Sequence, residues 1–275
     1  MDIGLVYFPT DTSVDPVTLG RAAEDAGFES LFVTEHTHIP TSRLTPYPAG
    51  GDLPPEYFRT WDPFVALTAV AATTRRLNVG TGICLVNQHH PINLAKSCAT
   101  LQRVSGGRFI LGVGPGWNVD EMANHGVDPD TRFAAMRERI QAMRALWTDE
   151  IAEYHGDHVD FDPVWQWPKP EPAIPVLLSG WGPTVLQRVV DYADGWFPIG
   201  GRGTALADRI TELADRCAAA GRDPIAVTIY QPGPKPEQLA EYRDLGVARV
   251  LCALPAEAPE ATLARVERYA GLLDG

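Results

Sequence analysis

Short apolar runs alternate with longer amphipathic runs along most of the chain, and the alternation repeats eight times. Each apolar run has the length of a buried strand, and the run after it carries apolar residues three or four positions apart, as one face of a helix does. The predicted strands cover residues 3–8, 30–34, 77–83, 108–113, 175–179, 195–199, 225–230 and 248–253. The predicted helices cover residues 14–26, 62–74, 91–104, 130–147, 183–192, 205–220, 235–245 and 258–273.

Eight strand–helix units in a chain of 275 residues predict an α/β fold of the (β/α)8 or TIM-barrel class, as a single domain over residues 1–275. The alternative is an open doubly wound sheet, which would need a glycine-rich first turn; the sequence FPTD at residues 8–11 is not one. Residues 150–173 interrupt the rhythm with prolines and aromatic residues in loop-like context, which predicts an insertion after the fourth unit rather than a separate domain.

Charge and composition narrow the class of partner. The net charge is −12 and there is no basic run, which argues against nucleic acid or an anionic membrane surface as the main partner. No apolar run reaches the roughly 18 residues of a membrane span, and the first residues read directly as a strand rather than as a signal peptide. We therefore expect a cytoplasmic protein that acts on a small molecule. The four cysteines are scattered among apolar or small neighbours, which predicts buried, reduced thiols.

In a barrel of this class the residues just after each strand form the active site. His36 follows the second strand, where an imidazole can exchange a proton near neutral pH, although a lone histidine is more often structural. Together with His38, His89 and His90 it also suggests a metal. The ends of the later strands, however, provide no histidine or aspartate ligand, so no metal site is predicted.

The turn from Ser179 to Gly182, after the fifth strand, is a second candidate site. Its small residues let the backbone approach a ligand closely, and the N–H groups of the following helix point toward that ligand, so an anion such as a phosphate fits there. Glycine also serves tight turns that bind nothing. Trp117 and Trp181 could wall an aromatic ligand or equally pack beneath a loop.

Five segments, in this order, resemble the luciferase-like monooxygenase superfamily. They are IGL at residues 3–5, LGRAAEDAGF at 19–28, TEH at 34–36, LNVGTGI at 77–83 with His90-Pro91 following, and SGGRFILGVG at 105–114. The sequence GWN at 116–118, Glu121 and the later GV at 126–127 are similar to a branch of probable F420-dependent oxidoreductases.

The resemblance implies a flavin-like ring in the barrel mouth, belonging to coenzyme F420 (a deazaflavin) or alternatively to FMN, with its phosphate at residues 180–182. It assigns the active-site histidine to His36 and a non-prolyl cis peptide to Gly82–Ile83. The cofactor-binding residues that it implies, together with those of the turns discussed above, are Thr81, Gly82, Ile83, Gly114, Pro115, Gly116, Trp117, Ser179, Gly180, Trp181, Gly182 and Gly200.

The implied function is hydride transfer between F420 and an unknown small organic substrate. Two alternatives stay open: an FMN-dependent monooxygenase supplied with reduced flavin by a separate reductase, and a flavin-binding protein without turnover. Relatives commonly form homodimers, so a homodimer is expected. Trp117 stands where some relatives carry an acidic proton donor, which leaves the proton donor unassigned, and Arg202 is the main cation late in the barrel, which does not favour a phosphorylated substrate.

Overall fold

Eight parallel strands close into a barrel in a computed structural model, which describes residues 1–273 apart from the side chain of Pro232. The barrel strands are β1 (Asp2–Tyr7), β2 (Ser30–Val33), β3 (Asn78–Leu85), β4 (Phe109–Gly114), β7 (Val176–Ser179), β8 (Gly195–Phe197), β9 (Ala226–Pro232) and β10 (Arg249–Ala253). Their order around the barrel is β1-β10-β9-β8-β7-β4-β3-β2, so the first and last strands pair. The closed barrel is confirmed, and the open sheet is excluded.

Helices connect the strands on the outside of the barrel. They are α1 (Pro16–Asp25), α2 (Glu56–Arg59), α3 (Pro63–Thr73), α4 (Pro91–Val104), α5 (Val119–Asn124), α6 (Arg132–Thr148), α7 (Val185–Tyr192), α8 (Gly203–Ala219), α9 (Pro236–Asp244) and α10 (Pro259–Ala270). α3 begins after a capping aspartate: Asp62 Oδ1 accepts a hydrogen bond of 2.9 Å from Val65 N, and Pro63 occupies the first turn. The short helices α2 and α5 were not predicted.

The insertion lies outside the barrel, as predicted, but its loop-like interpretation was wrong. It contains an antiparallel hairpin of β5 (Ala152–His155) and β6 (Asp160–Val164). Glu138 of α6 holds the hairpin turn, because its carboxylate accepts the backbone N–H groups of Asp157, His158 and Val159 at 2.6–3.2 Å. The tertiary anchor from α6 therefore orders a segment whose prolines indicated irregular chain.

A separate layer of apolar side chains fills the inside of the barrel. It consists of Val6, Phe32, Ile110, Leu177, Phe197 and Leu251. The rings of Phe32 and Phe197 meet edge to face at 5.9 Å, so the barrel interior is packed and any ligand site must lie above this floor. Within residues 1–273, no helix is both long and apolar enough to cross a membrane.

Candidate active site

A cavity of about 650 Å³ opens at the carboxyl ends of the barrel strands. Phe197 forms part of its floor. The long segment between β2 and α3 also lines the cavity, and we call its lining residues the lid: Tyr47, Pro48, Ala49 and Tyr57. The segment is tied down near both ends. Thr45 N donates to Asp120 Oδ2 at 3.1 Å, and Arg59 Nε donates to Asp11 Oδ1 at 2.7 Å. This long connection therefore covers the cavity.

The cavity brings together eight of the residues predicted from the sequence: His36, Gly82, Ile83, Pro115, Gly116, Trp117, Ser179 and Gly180. The other five predicted residues do not line it: Thr81, Gly114, Trp181, Gly182 and Gly200. Thr81 is fully buried, and its hydroxyl donates to the carbonyl of Gly112 at 2.7 Å. Its place is therefore in the barrel wall. Gly200 lies in a second cavity of about 390 Å³, together with Arg202 and Lys235.

The strand β3 bulges into the cavity at Gly82 and Ile83. Its register against β4 shifts between Thr81 and Cys84, which places two residues of β3 outside the regular pairing. The peptide bond between Gly82 and Ile83 is cis, as predicted. A Cβ on Gly114 would lie 2.1 Å from Ile83 Cδ1, so Gly114 provides the space in which the Ile83 side chain sits. Gly114 thus shapes the wall without lining it.

In the turn after β7, one side is open for a ligand and the other side packs against Trp196. Gly180 has φ +136°, a conformation that favours glycine, and its carbonyl accepts the Trp196 Nε1 proton at 3.0 Å. Trp181 packs on Trp196 with ring centroids 5.5 Å apart, outside the cavity lining. A Cβ on Gly182 would meet nothing within 4 Å, so the backbone is free for close approach at that position.

Arg209 of α8 is a residue of this turn that the sequence analysis missed. Its Nη2 donates to the carbonyl of Gly182 at 3.1 Å, while Nη1 contacts Glu212 at 2.8 Å. The Arg209 Nε is buried and has no hydrogen-bond partner in the described part of the chain. A cation with an unused donor therefore stands beside the turn predicted to hold a phosphate. Nothing in the local sequence of α8 distinguishes it from a surface arginine.

His36 and Glu121 form a buried pair at one wall of the cavity. Nδ1 of the imidazole lies 2.9 and 3.0 Å from the two carboxylate oxygens, and the side chains are 5% and 1% exposed. A carboxylate only accepts hydrogen bonds, so Nδ1 carries the proton. Nε2 is then the basic nitrogen of the ring, and it accepts a long hydrogen bond of 3.4 Å from Trp117 Nε1.

The local fold explains how Glu121 reaches the imidazole. Asn118 caps α5, because its Oδ1 accepts a hydrogen bond of 3.3 Å from the backbone N–H of Glu121. Glu121 therefore lies in the first turn of a short helix that begins directly after the β4 loop. In the sequence, Glu121 stands out only as part of the similarity to probable F420-dependent oxidoreductases. Its pattern with Asn118 is that of an ordinary capping box, which gives no hint of an active-site role.

Glu35, next to His36 in the chain, forms a second pair with His89. Its Oε1 lies 2.7 Å from His89 Nε2, and its Oε2 accepts the Leu85 N–H at 2.6 Å. Burial alone would lower the pKa of His89, but the hydrogen bond and the charge of Glu35 outweigh burial and raise it. The sulfur of Cys84 is close enough to make three potential metal ligand atoms within 4.8 Å. Because both Glu35 oxygens already accept hydrogen bonds, hydrogen bonding accounts for the arrangement.

The remaining imidazoles near strands two and three lie away from the main cavity. His38 contacts Thr37 Oγ1 and Asn124 Nδ2, each at 2.9 Å, and its ring faces His125 at 5.4 Å. His90 lines a third cavity of about 320 Å³ with His89, His125 and His158. The histidines that the sequence grouped together thus separate into different environments, and only His36 among them lines the main cavity.

Residues 12–234 match the family model for luciferase-like monooxygenases. The chain belongs to this family. An uncharacterized protein of Mycobacterium tuberculosis is 43% identical over 99% of both chains. An F420-dependent glucose-6-phosphate dehydrogenase of Amycolatopsis mediterranei is 32% identical over 70% of this chain and 55% of that protein.

Solved structures agree with the luciferase-like fold. The monooxygenase RslO1 from Streptomyces bottropensis superposes with a TM-score of 0.81 at 21% identity, covering 99% of this chain and 98% of that one. An F420-dependent secondary alcohol dehydrogenase, in complex with an F420-acetone adduct, gives 0.78 at 17% identity with the same coverage. At these identities the likeness concerns the barrel itself.

Proposed function

We propose that this luciferase-like protein is an F420-dependent oxidoreductase that transfers a hydride between F420 and a small organic alcohol or carbonyl compound. The observation that carries the proposal is the buried His36–Glu121 pair, whose basic Nε2 stands at the wall of a cavity large enough for a ring and a substrate, with only a long hydrogen bond from Trp117 to displace. The identity of 32% with an F420-dependent dehydrogenase supports F420 as the cofactor.

The residues present fit such a cofactor. Ser179 and Gly180 line the cavity, Gly182 leaves open backbone beside it, and Arg209 adds a positive charge at the same turn. These residues would hold a phosphate, while Ile83, Gly116 and Trp117 would flank a flat ring. Bound F420 supplies a ring carbon that accepts or gives a hydride.

The acid–base step belongs to His36. During oxidation of an alcohol, Nε2 takes the hydroxyl proton as the carbon loses its hydride, and Glu121 stabilises the imidazolium that forms. During reduction of a carbonyl, the same imidazolium returns the proton to the oxygen. Trp117 has no acidic proton to give, so this pair performs the role that the sequence left unassigned.

The experiment is a parallel titration with F420 and FMN, oxidised and reduced, followed by cofactor absorbance. We expect F420 to bind more tightly than FMN, and Gly182→Val to weaken binding because its side chain would fill the open space at the turn. His36→Ala is the matched control, which should bind F420 as the natural sequence does. Preference for FMN would favour the monooxygenase alternative, and binding of neither would refute the proposal.

The quaternary structure and any partner reductase belong to the same proposal. We propose a homodimer, which light scattering tests: a mass near 30.0 kDa would indicate a monomer instead. A separate reductase is required only if reduced FMN is the cofactor.

A further inference from the structure

The main cavity combines aromatic and aliphatic walls with a lack of cationic side chains. In the described part of the chain, no Lys or Arg lines it. Apolar and aromatic side chains make up most of the wall, among them Phe8, Tyr47, Tyr57, Leu85, Phe197 and Ile199. A substrate carrying a phosphate or carboxylate would be desolvated there without an opposite charge, which is costly.

Fixed negative charge adds to this barrier. Glu121 stands directly behind His36, and Glu35 also lies in the cavity wall, where His89 partly balances its charge. The whole chain carries a net charge of −12. A cleft with carboxylates and low-dielectric walls repels anions and lowers their local concentration.

The cationic side chains near the cavity belong to other sites. Arg202 and Lys235 line the separate cavity of about 390 Å³. Arg209 reaches the turn at Gly182, where the proposed cofactor phosphate would use it. Arg202, which the sequence indicated as the main cation late in the barrel, lies here beside Lys235, and neither side chain lines the main cavity.

The lid supplies one neutral hydrogen-bond donor. The hydroxyls of Tyr47 and Tyr57 lie 3.2 Å apart, so one donates to the other. The second proton has no acceptor in the described part of the chain and is free for a ligand oxygen. Burial raises the pKa of Tyr57, which keeps its hydroxyl protonated. The Tyr57 ring centroid lies 5.3 Å from that of His36, so donor and base serve the same region.

From these contacts we infer that the substrate is an uncharged alcohol or carbonyl compound with an apolar body, whose oxygen lies between His36 and the Tyr47–Tyr57 pair, and that anionic substrates are excluded. The inference rests on the proposed function for the reaction, but the selectivity for neutral ligands comes from the lining alone. It can therefore be measured as binding, with or without cofactor, when phosphate occupies the turn at Ser179 and Gly180 that would otherwise take the carboxylate probe.

The test uses two probes of nearly the same shape, 4-methylbenzyl alcohol and 4-(hydroxymethyl)benzoate, in calorimetric titrations in phosphate buffer, with and without F420, so that the anion site at the turn is occupied in both series. We expect the neutral probe to bind at least about tenfold more tightly than the carboxylate in both series. Equal binding, tighter binding of the carboxylate, or no binding of the neutral probe would overturn the inference. Failure of F420 to bind, with selectivity retained, would reject only the proposed function.

A lysine placed at the rim of the main cavity tests the electrostatic part of the inference separately. Ile199 lines the cavity and is 67% exposed, so Ile199→Lys adds a cation at the rim without burying it. The control is Ile151→Lys, the same change at a 57% exposed position of the insertion that does not line the cavity. We expect Ile199→Lys to tighten carboxylate binding by about threefold to fivefold at low salt, and Ile151→Lys to have no effect. Equal effects of both variants would contradict a local electrostatic barrier.

The tyrosine pair gives a non-additive prediction. Either Tyr47→Phe or Tyr57→Phe leaves one hydroxyl proton available for the ligand, so each single variant should bind the neutral probe nearly as well as the natural sequence. The double variant has no hydroxyl donor in the lid and should bind the neutral probe about fivefold more weakly. Equal losses in the two single variants, adding up in the double variant, would show that the hydroxyls act separately and would overturn this arrangement.

Discussion

Two neighbouring residues at the end of β2 each join a carboxylate to an imidazole, and the surroundings of the two pairs differ. In the His36–Glu121 pair, the carboxylate holds Nδ1 and leaves Nε2 at the main cavity. In the Glu35–His89 pair, the carboxylate holds Nε2, accepts the Leu85 N–H, and connects two chain segments. The same two chemical groups therefore form an acid–base centre in one place and a structural tie in the other.

The other hydrogen bonds of each carboxylate decide the role of its pair. Within residues 1–273 the Glu121 carboxylate makes no hydrogen bond to a barrel strand, so its charge serves the imidazole. Glu35 satisfies a backbone donor of β3, and His89 packs edge to face on Phe64 at 5.9 Å. We thus expect substitutions in the first pair to change rate and substitutions in the second to change stability.

The largest expected effect is on catalysis by His36→Ala. Removal of the base at the reacting oxygen should lower kcat by about 10²–10⁴-fold on an alcohol that the protein oxidises with F420. The affinity for F420 should stay unchanged, because the turn at Gly180 lies on another strand. Steady-state kinetics and a cofactor titration measure the two quantities, and full activity in the variant would refute the role of His36.

The second effect is on stability, and Glu35→Ala produces it. The change removes a carboxylate that is 2% exposed, leaving the Leu85 N–H and the partly buried His89 without their partner. We expect a loss of about 2–3 kcal/mol in the free energy of unfolding, measured with denaturant. Glu35→Gln keeps an acceptor for Leu85 and should lose less. A variant that unfolds normally but has lost turnover would place Glu35 in the chemistry instead.

The sequence predicted His36 but neither its carboxylate partner nor the pairing of Glu35 with His89. The eight strands could be predicted because each is a short apolar run followed by a helical pattern, and His36 could be placed because it ends one of those strands. Its partner lies 85 positions away and carries a helix-start pattern, so no local signal marks it. Arg209 likewise becomes part of the turn only when α8 packs against α7.

The hairpin and the lid could not be predicted from the sequence for the same reason. The hairpin of β5 and β6 depends on the buried carboxylate of Glu138, which belongs to a different element. The lid depends on ties from Thr45 to Asp120 and from Arg59 to Asp11. In each case a tertiary contact overrides a local sequence with weak or contrary preference, and local pattern cannot report such a contact.

A third, smaller effect separates the charge of Glu121 from its position. In Glu121→Gln the amide oxygen still accepts the Nδ1 proton, so the ring keeps its orientation while the imidazolium loses its counter-charge. We expect kcat to fall about tenfold, which is less than in His36→Ala. Glu35→Gln is the matched control at the other pair and should change kcat by less than about twofold. If both amide variants lost rate equally, the division of roles between the pairs would be wrong.

The smallest effect is a pH dependence of stability that comes from His89. The pKa of His89 is raised above its usual 6.5 in the folded protein, so the folded state holds the proton more tightly than the unfolded state does. The resulting stabilisation is fully present below about pH 6.5 and is lost as the pH rises through the folded pKa. His89→Gln can still donate to Glu35 but does not titrate. We therefore expect the stability difference between the natural sequence and this variant to be largest near pH 5.5 and smaller near pH 8.5.

Denaturant unfolding at about pH 5.5 and about pH 8.5 measures this difference. His90→Gln is the matched control, because His90 is exposed in the neighbouring cavity and has no contact with Glu35. A difference that grows with pH would reverse the sign and mean that the folded protein favours the neutral ring. The Glu35–His89 tie would then be an ordinary hydrogen bond, and the contrast with His36–Glu121 would rest on position alone.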